Sequence, residues 1–357
     1  MKKKLILSLW FLIMGATAIT QKTAVHHYLP TMSASVATSY LGYDYVIVDQ
    51  DLIYNDIQSL QWLKDSGAKV LCYFNIVEWF NPMFPDKPWS VKMVEFLNRY
   101  PDWWLHGTDG KRITFWEGMY TMNCASDCPR HQINGTGVNY IEFATDRFIR
   151  DVLQRFPFDG VLMDNYWDKV SWLGRYRINQ SGIDRNRDGQ SDSSEELNAA
   201  WRSGLTSALE KIRDFGGERF IITANPGHLF YTKYCSGKMF ENFPEIYLAE
   251  NDGRYQAWYA NMNNAAALSG PNFFNARVDN YFFTLCSSQL VDNAVFSYLQ
   301  NTAYDSKWRL DLGQPLKPAE VTPTGIHCRQ FDNGQVFVDP GARKSWVVYQ
   351  DGVRREE

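Results

Sequence analysis

GVLMDNYWDKV, residues 160–170, opens as a purely apolar run and turns polar within one step. Val161, Leu162 and Met163 show no polar alternation, so both faces of this strand expect burial, as in a parallel sheet covered on each side. Asp164, Asn165, Tyr166, Trp167 and Asp168 follow at once. In barrels of parallel strands the residues just past the C-terminal strand ends line the active site. The abrupt change of character therefore predicts both a buried strand and a chemically active strand end.

Outward from this stretch, seven further runs have strand character: Val25–Leu29, Tyr45–Asp49, Lys69–Ile76, Phe220–Asn225, Lys238–Glu241, Phe273–Ala276 and Ala294–Leu299. Gly160–Asn165 is the fourth of the eight. Between them, apolar residues at three- and four-residue spacing predict helices over Asp56–Ser66, Val91–Arg99, Tyr140–Arg155, Ser194–Phe215, Arg254–Leu268 and Tyr281–Val291. Eight strands alternating with helices give an α/β fold of the (β/α)8 TIM-barrel type. Residues 77–139, with a hairpin at Asp109-Gly110, and residues 166–193 are long βα-loop insertions, and long connections in compact domains are usually functional. Past residue 300, Pro315, Pro318 and Pro323 space a connector. Alternating runs then flank Asn333-Gly334, read as a two-residue hairpin turn. The expected organisation is a leader at 1–18, a barrel over 19–310, and a short C-terminal β appendage over 311–357 packed on it.

Lys2 to Lys4, the apolar run Leu5 to Met14 and Ala16-Thr17-Ala18 have the form of a cleavable export signal, which predicts a secreted or periplasmic protein. The apolar run is shorter than the ~20 residues of a membrane-spanning helix, and no stable membrane insertion is expected. With 36 Lys plus Arg against 40 Asp plus Glu, a net charge of -4 and no basic cluster after the leader, nucleic acid is excluded as a partner. Nothing calls for a second subunit, and a monomer is expected. Six cysteines in an exported chain permit disulfides. Cys124 and Cys128 either bridge a turn or stay free, and Cys72 reads as a buried thiol. Asn134 and Asn179 begin glycosylation sequons.

Four strand ends carry carboxylates: Asp49, Glu78, Asp164 and Glu241, with Asn225 closing the fifth strand. One acid that protonates a leaving oxygen, facing a carboxylate that attacks the anomeric carbon or activates water, is what glycosidic bond cleavage requires. Asp164 and Glu241 are the candidate catalytic pair, against the alternatives of a helix cap or solvated acid and of a salt-bridged loop residue. Asp49, Glu78, Asn165 and Asn225 are candidate substrate-binding or positioning groups. Tyr73, Trp79 and Trp167, with Trp103 and Trp104, are either sugar-stacking platforms or core. The expected partner is a carbohydrate. The six histidines are scattered, and no zinc set, nucleophile elbow, phosphate loop or dinucleotide fingerprint is present.

FDGVLMDN at the fourth strand, MFENFPE at the sixth and the terminal RQFDNGQVFVDP resemble hypothetical glycosyl hydrolase family fifteen, and more distantly the endo-α-1,4-polygalactosaminidases. The resemblance spans most of the mature chain. It implies a TIM barrel with glycosidase chemistry, Asp164 matching the fourth-strand acid and Glu241 the sixth-strand acid. A barrel that kept the groove and lost the reaction, binding glycans only, is the alternative.

DRNRDGQSDSSE, residues 184–195, satisfies the calcium-loop pattern D-x-[DN]-x-[DN]-G-x5-E at every specified position. Asp184, Asn186, Asp188, Asp192 and Glu195 would supply side-chain oxygens and Gln190 its carbonyl, making Ca2+ a structural ion beside the catalytic mouth. No organic cofactor is expected.

Overall fold

The computed structural model describes residues 21–176, 180–244 and 253–356, so the leader and Asn179 lie outside the described residues. Eight parallel strands close into a barrel: β1 (Lys22–His27), β2 (Tyr45–Asp49), β3 (Lys69–Phe74), β4 (Gly160–Met163), β5 (Ile221–Ala224), β6 (Gly237–Phe243), β7 (Asn272–Ala276) and β8 (Ala294–Gln300), with β8 pairing back onto β1. All eight strands read from the sequence are present. They are surrounded by helices α1 (Ala34–Ser39), α2 (Ile57–Asp65), α3 (Pro88–Leu97), α4 (Tyr140–Asp151), α5 (Ser194–Gly216), α6 (Gly253–Ala266) and α7 (Tyr281–Ser288). At the start of α4 the Asn139 side chain accepts from the Glu142 amide while Glu142 reaches back to the Asn139 amide, a capping box. Among the described residues no helix is long and apolar enough to cross a membrane.

Side-chain alternation divides the strands between two packing layers. Ala24, Tyr45, Ile47, Leu71, Leu162, Met239, Phe273 and Val295 fill the barrel interior. Val161 and Met163 point outward into the larger core beneath the helices. Leu162 faces inward, so Asp164 two residues later does too, at the rim. Gly160 begins the same row at the closed end, where an added Cβ would sit 2.2 Å from the Ile221 carbonyl oxygen of β5. No side chain fits there without separating the two strands.

The insertion after β3 carries a three-stranded antiparallel sheet, Glu78–Phe80 beside Met119–Thr121 beside Thr114–Trp116. The appendage is larger than a hairpin. Glu320–Val321, His327–Phe331, Gly334–Asp339, Lys344–Tyr349 and Arg354–Glu356 form a five-stranded antiparallel sheet whose Val336, Val338 and Val347 join the main core. Its turn also lies one residue earlier than expected. Phe331 pairs with Gly334, making Asp332-Asn333 the turn, because Gly334 is needed inside the strand, where a Cβ would meet the Val348 carbonyl oxygen at 2.6 Å. All six cysteines are free and buried, so Cys124 and Cys128 are not bridged.

Candidate active site

The rim row of the interior brings Asp164, Asn225 and Glu241 together from β4, β5 and β6. One amide nitrogen joins the two carboxylates: Asn225 Nδ2 donates to Asp164 Oδ1 at 2.8 Å and to Glu241 Oε2 at 3.1 Å. Asp164 Oδ1 also accepts from the Asn165 backbone N–H at 2.9 Å, and Oδ2 accepts from the Tyr73 hydroxyl at 2.6 Å. Oδ2 is thus the less committed oxygen. Burial, reinforced by the Asp164 charge, pushes the Glu241 carboxyl above the usual carboxylate range, while the Asn225 hydrogen bond pulls the other way. Two carboxyl groups joined through one amide, one of them raised, are the parts that an acid/base division of labour needs.

Two groups in this row were not legible as functional in the sequence. Tyr28, just past β1, packs against Tyr73 with ring centroids 4.5 Å apart, and its hydroxyl is 2.8 Å from His26 Nδ1. Burial first, then the charges of Asp164 and Glu241, raise the Tyr28 hydroxyl pKa. His26 is fully buried and its Nε2 has no hydrogen-bond partner, and burial lowers its pKa to about 4. The ring is therefore neutral at ordinary pH and holds the Tyr28 hydroxyl from below.

Glu78 stands behind the pair rather than in it. It is 2% exposed, and its oxygens accept from Thr121 Oγ1 at 3.2 Å, Asn165 Nδ2 at 2.8 Å and the Phe115 backbone N–H. Asn165, with a φ of 56°, is held in the left-handed region while its backbone N–H serves Asp164. Burial, then the Asp164 charge, raise the Glu78 pKa to about 8. Folded Glu78 keeps its proton up to that pH, whereas an unfolded glutamate releases it near ~4.3. The folded state therefore binds more protons across this window, and stability falls as pH rises through it. Asp51, raised to about 6 mainly by burial, adds to the lower part of the same decline. Buried His26, lowered to about 4, works in the opposite sense below the ~6.5 of an unfolded histidine. The melting temperature should therefore drop between about pH 7 and pH 8, as Glu78 releases its proton, and Glu78→Gln, with no proton to lose, should flatten the drop. Parallel curves for wild type and variant would assign the pH dependence elsewhere.

The remaining candidates divide. Asp49 is 1% exposed, ion-paired with Lys87, and bonded through Oδ1 to the Asp51 N–H at 2.9 Å, so both oxygens are occupied by protein. Trp79, Trp103 and Trp104 are core, not platforms: each is at most 2% exposed, and the Trp79 indole donates to the Tyr140 hydroxyl at 2.9 Å. Trp167 is half-buried at the mouth, three residues past Asp164.

In the acidic loop, Asp184 accepts from the Asp188 and Gly189 amides at 3.0 and 2.8 Å, and Asp188 Oδ1 from the Gln190 amide at 2.8 Å. Asn186 Oδ1 accepts from the Asp188 amide at 3.1 Å. Both oxygens of Asp192 are taken by Arg185, and Glu195 is exposed in the first turn of α5. Asp184, Asn186 and Asp188 thus share one hydrogen-bonded turn while Asp192 is engaged by Arg185, and no group of three His, Cys, Asp or Glu side chains that could hold a metal ion occurs among the described residues.

Several solved structures share the fold. The glycoside hydrolase domain of PelA from Pseudomonas aeruginosa is 12% identical, with 78% of this chain and 95% of that one covered at a TM-score of 0.50. An α-galactosidase from Lactobacillus brevis is 10% identical, with 92% and 46% covered at a TM-score of 0.53. The chain thus spans about half the length of that enzyme. None of the curated proteins matches the sequence. The model of hypothetical glycosyl hydrolase family 15 matches residues 65–335, from just before β3 into the C-terminal sheet and across both carboxylates. The chain belongs to that family and is a glycosyl hydrolase on a (β/α)8 barrel.

Proposed function

We propose that the protein cleaves an O-glycosidic bond in a polysaccharide or oligosaccharide with Asp164 as nucleophile and Glu241 as acid/base. The observation that carries this is the shared Asn225 amide. Oxygens 2.8 and 3.1 Å from one nitrogen lie within ~6 Å of each other, nearer the retaining separation of about 5–5.5 Å than the wider inverting one. Glu241 gives its proton to the glycosidic oxygen as Asp164 Oδ2 attacks the anomeric carbon, the C–O bond breaks and the aglycone leaves. Glu241, now a carboxylate, takes a proton from water. The water oxygen bonds to the anomeric carbon and Asp164 is released.

Tyr73 and Asn225 steady the nucleophile, Asn225 spans the pair, and Tyr28 contributes a neutral hydroxyl beside both acids. The binding-only alternative leaves the raised acid beside a hydrogen-bonded carboxylate without a purpose. A panel of polysaccharides assayed for released reducing ends tests the activity, and proton NMR of the first-formed anomer tests retention. A first product of opposite configuration would overturn the retaining assignment. Export, supported by the N-terminal lysines, apolar run and small-residue site, would bring the enzyme to extracellular glycans.

Calcium is proposed as a structural ion of residues 184–195, supported by the complete sequence pattern and by Gly189 at a φ of 86°. Binding requires Asp192 to leave Arg185 and Glu195 to turn inward. Millimolar calcium should raise the melting temperature by a few degrees, chelation should reverse it, and Asp184→Ala should abolish the response. Absence of a calorimetric binding signal in the wild type would remove the ion from the account.

A further inference from the structure

Aromatic side chains gather where the β3 and β4 insertions meet at the mouth. Phe115 lies at the centre, with ring centroids 4.7 Å from Trp116, 5.4 Å from Trp167 and 5.4 Å from Trp172, while Trp167 and Trp172 are 5.2 Å apart. The contacts are edge-to-face, with interplanar angles from 62° to 87°. In each such pair one ring's edge meets one face of the other, so the contact leaves at least one face of each ring uncovered. Trp116 is 49% exposed, and Phe115, Trp167 and Trp172 are only partly buried. A cluster that existed only to stiffen the insertion would bury its tryptophans as Trp103 and Trp104 are buried. Contiguous exposed apolar surface next to a polar cleft marks a ligand groove.

The cluster is fastened to the catalytic strand through buried groups. Glu78 accepts from the Phe115 amide on one side and from Asn165, the neighbour of Asp164, on the other. The Trp167 carbonyl accepts from the fully buried Trp201 indole at 2.9 Å and from the Tyr231 hydroxyl at 3.2 Å. The Trp172 indole N–H is closed onto the Lys169 carbonyl at 2.9 Å. The rings are held in place before any ligand arrives, which lowers the ordering cost of binding.

We infer that Phe115, Trp116, Trp167 and Trp172 form a stacking platform for pyranose rings of a polymer chain running away from the Asp164/Glu241 cleft. This deepens, and rests on, the glycosidase reading. Its consequence is that the substrate is a long chain held several rings from the scissile bond. Pyranoses fit because their C–H faces are flat and apolar while their hydroxyls remain in water at the ring edge. Continuity with the carboxylates fixes the occupant as the substrate chain and not a separate protein.

Affinity electrophoresis tests this with full-length Asp164→Asn protein, which leaves the polymer in the gel intact. The gels contain neutral polymers (mixed-linkage β-glucan, galactomannan, dextran), acidic ones (pectin, alginate) or cationic glycol chitosan. At least one polymer should retard Asp164→Asn, with affinity lowered ~10-fold by adding Trp116→Ala and again by Trp172→Ala. The constituent monosaccharide at equal mass should compete poorly. Because Trp116 is half exposed, its replacement should leave the melting temperature within about 1 °C, so lost retardation cannot be ascribed to unfolding. Retardation by no polymer, or equal retardation with and without Trp116, overturns the platform. If the wild type releases reducing ends while Trp116→Ala retains full retardation, the platform falls and the carboxylate pair stands. Retardation that depends on Trp116 without any released reducing ends has the opposite meaning.

Discussion

Asp164→Asn lowers turnover by on the order of 10⁴-fold, ~5 kcal/mol of transition-state stabilisation, with little change in melting temperature. The amide has the shape of the carboxylate, and its oxygen still accepts from Asn225 and the Asn165 N–H. The Tyr73 hydroxyl can rotate to accept from the new NH2 group in place of donating. What is lost is the negative charge and nucleophilic oxygen beneath the anomeric carbon, an interaction that strengthens only as positive charge develops there. Steady-state kinetics on a polymer from the panel, alongside circular dichroism, checks both halves of the expectation. Turnover within tenfold of wild type would move the nucleophile elsewhere.

Glu241→Gln separates acid from nucleophile. On a natural linkage, whose leaving alkoxide must be protonated, kcat should fall by ~10³-fold. On an aryl glycoside with a good leaving group much of the first step should return, because little protonation is needed, and Asp164→Asn should not be rescued in this way. The pH profile supplies an independent reading. Glu241 works as the acid while protonated, and burial with the Asp164 charge raises its pKa. Wild-type kcat/KM should therefore decline as pH rises through that raised value, and Glu241→Gln should lose this alkaline limb. If the limb persists in Glu241→Gln and vanishes in Glu78→Gln, Glu78, raised to about 8, is the group that titrates.

The barrel was legible because its strands bury both faces, so runs such as Val161–Met163 stand out without any periodicity to decode. The catalytic candidates were legible for the same reason, a carboxylate directly after such a run. Tyr28 and His26 gave no comparable signal. His26 in β1 and Tyr28 just past it occupy inward positions where either a core or a functional side chain fits, and their importance comes from β3, β4 and β6, far away in sequence. Trp79 stayed open between platform and core because an aromatic after a strand can turn to the mouth or inward, and its burial with the indole on the Tyr140 hydroxyl places it in the core. The acidic loop satisfies its pattern letter by letter, but Arg185, at a position the pattern leaves free, claims Asp192. Phe115 and Trp116 lie in an insertion with no barrel periodicity, and their nearness to Trp167 follows from pairing across more than 50 residues.

Gly160 ties the base of the barrel to the strand ends that carry the candidate acids. Its missing side chain lets β4 lie directly against the Ile221 carbonyl of β5, and these are the strands that end in Asp164 and Asn225. Even one methyl at residue 160 would drive the strands apart at their base, and the displacement would propagate along two stiff, paired segments to the rim. If the proposed pair is the catalytic one, its separation decides between a covalent intermediate and direct attack by water, and Gly160 is where the strands leading to Asp164 and Asn225 meet with no side chain between them.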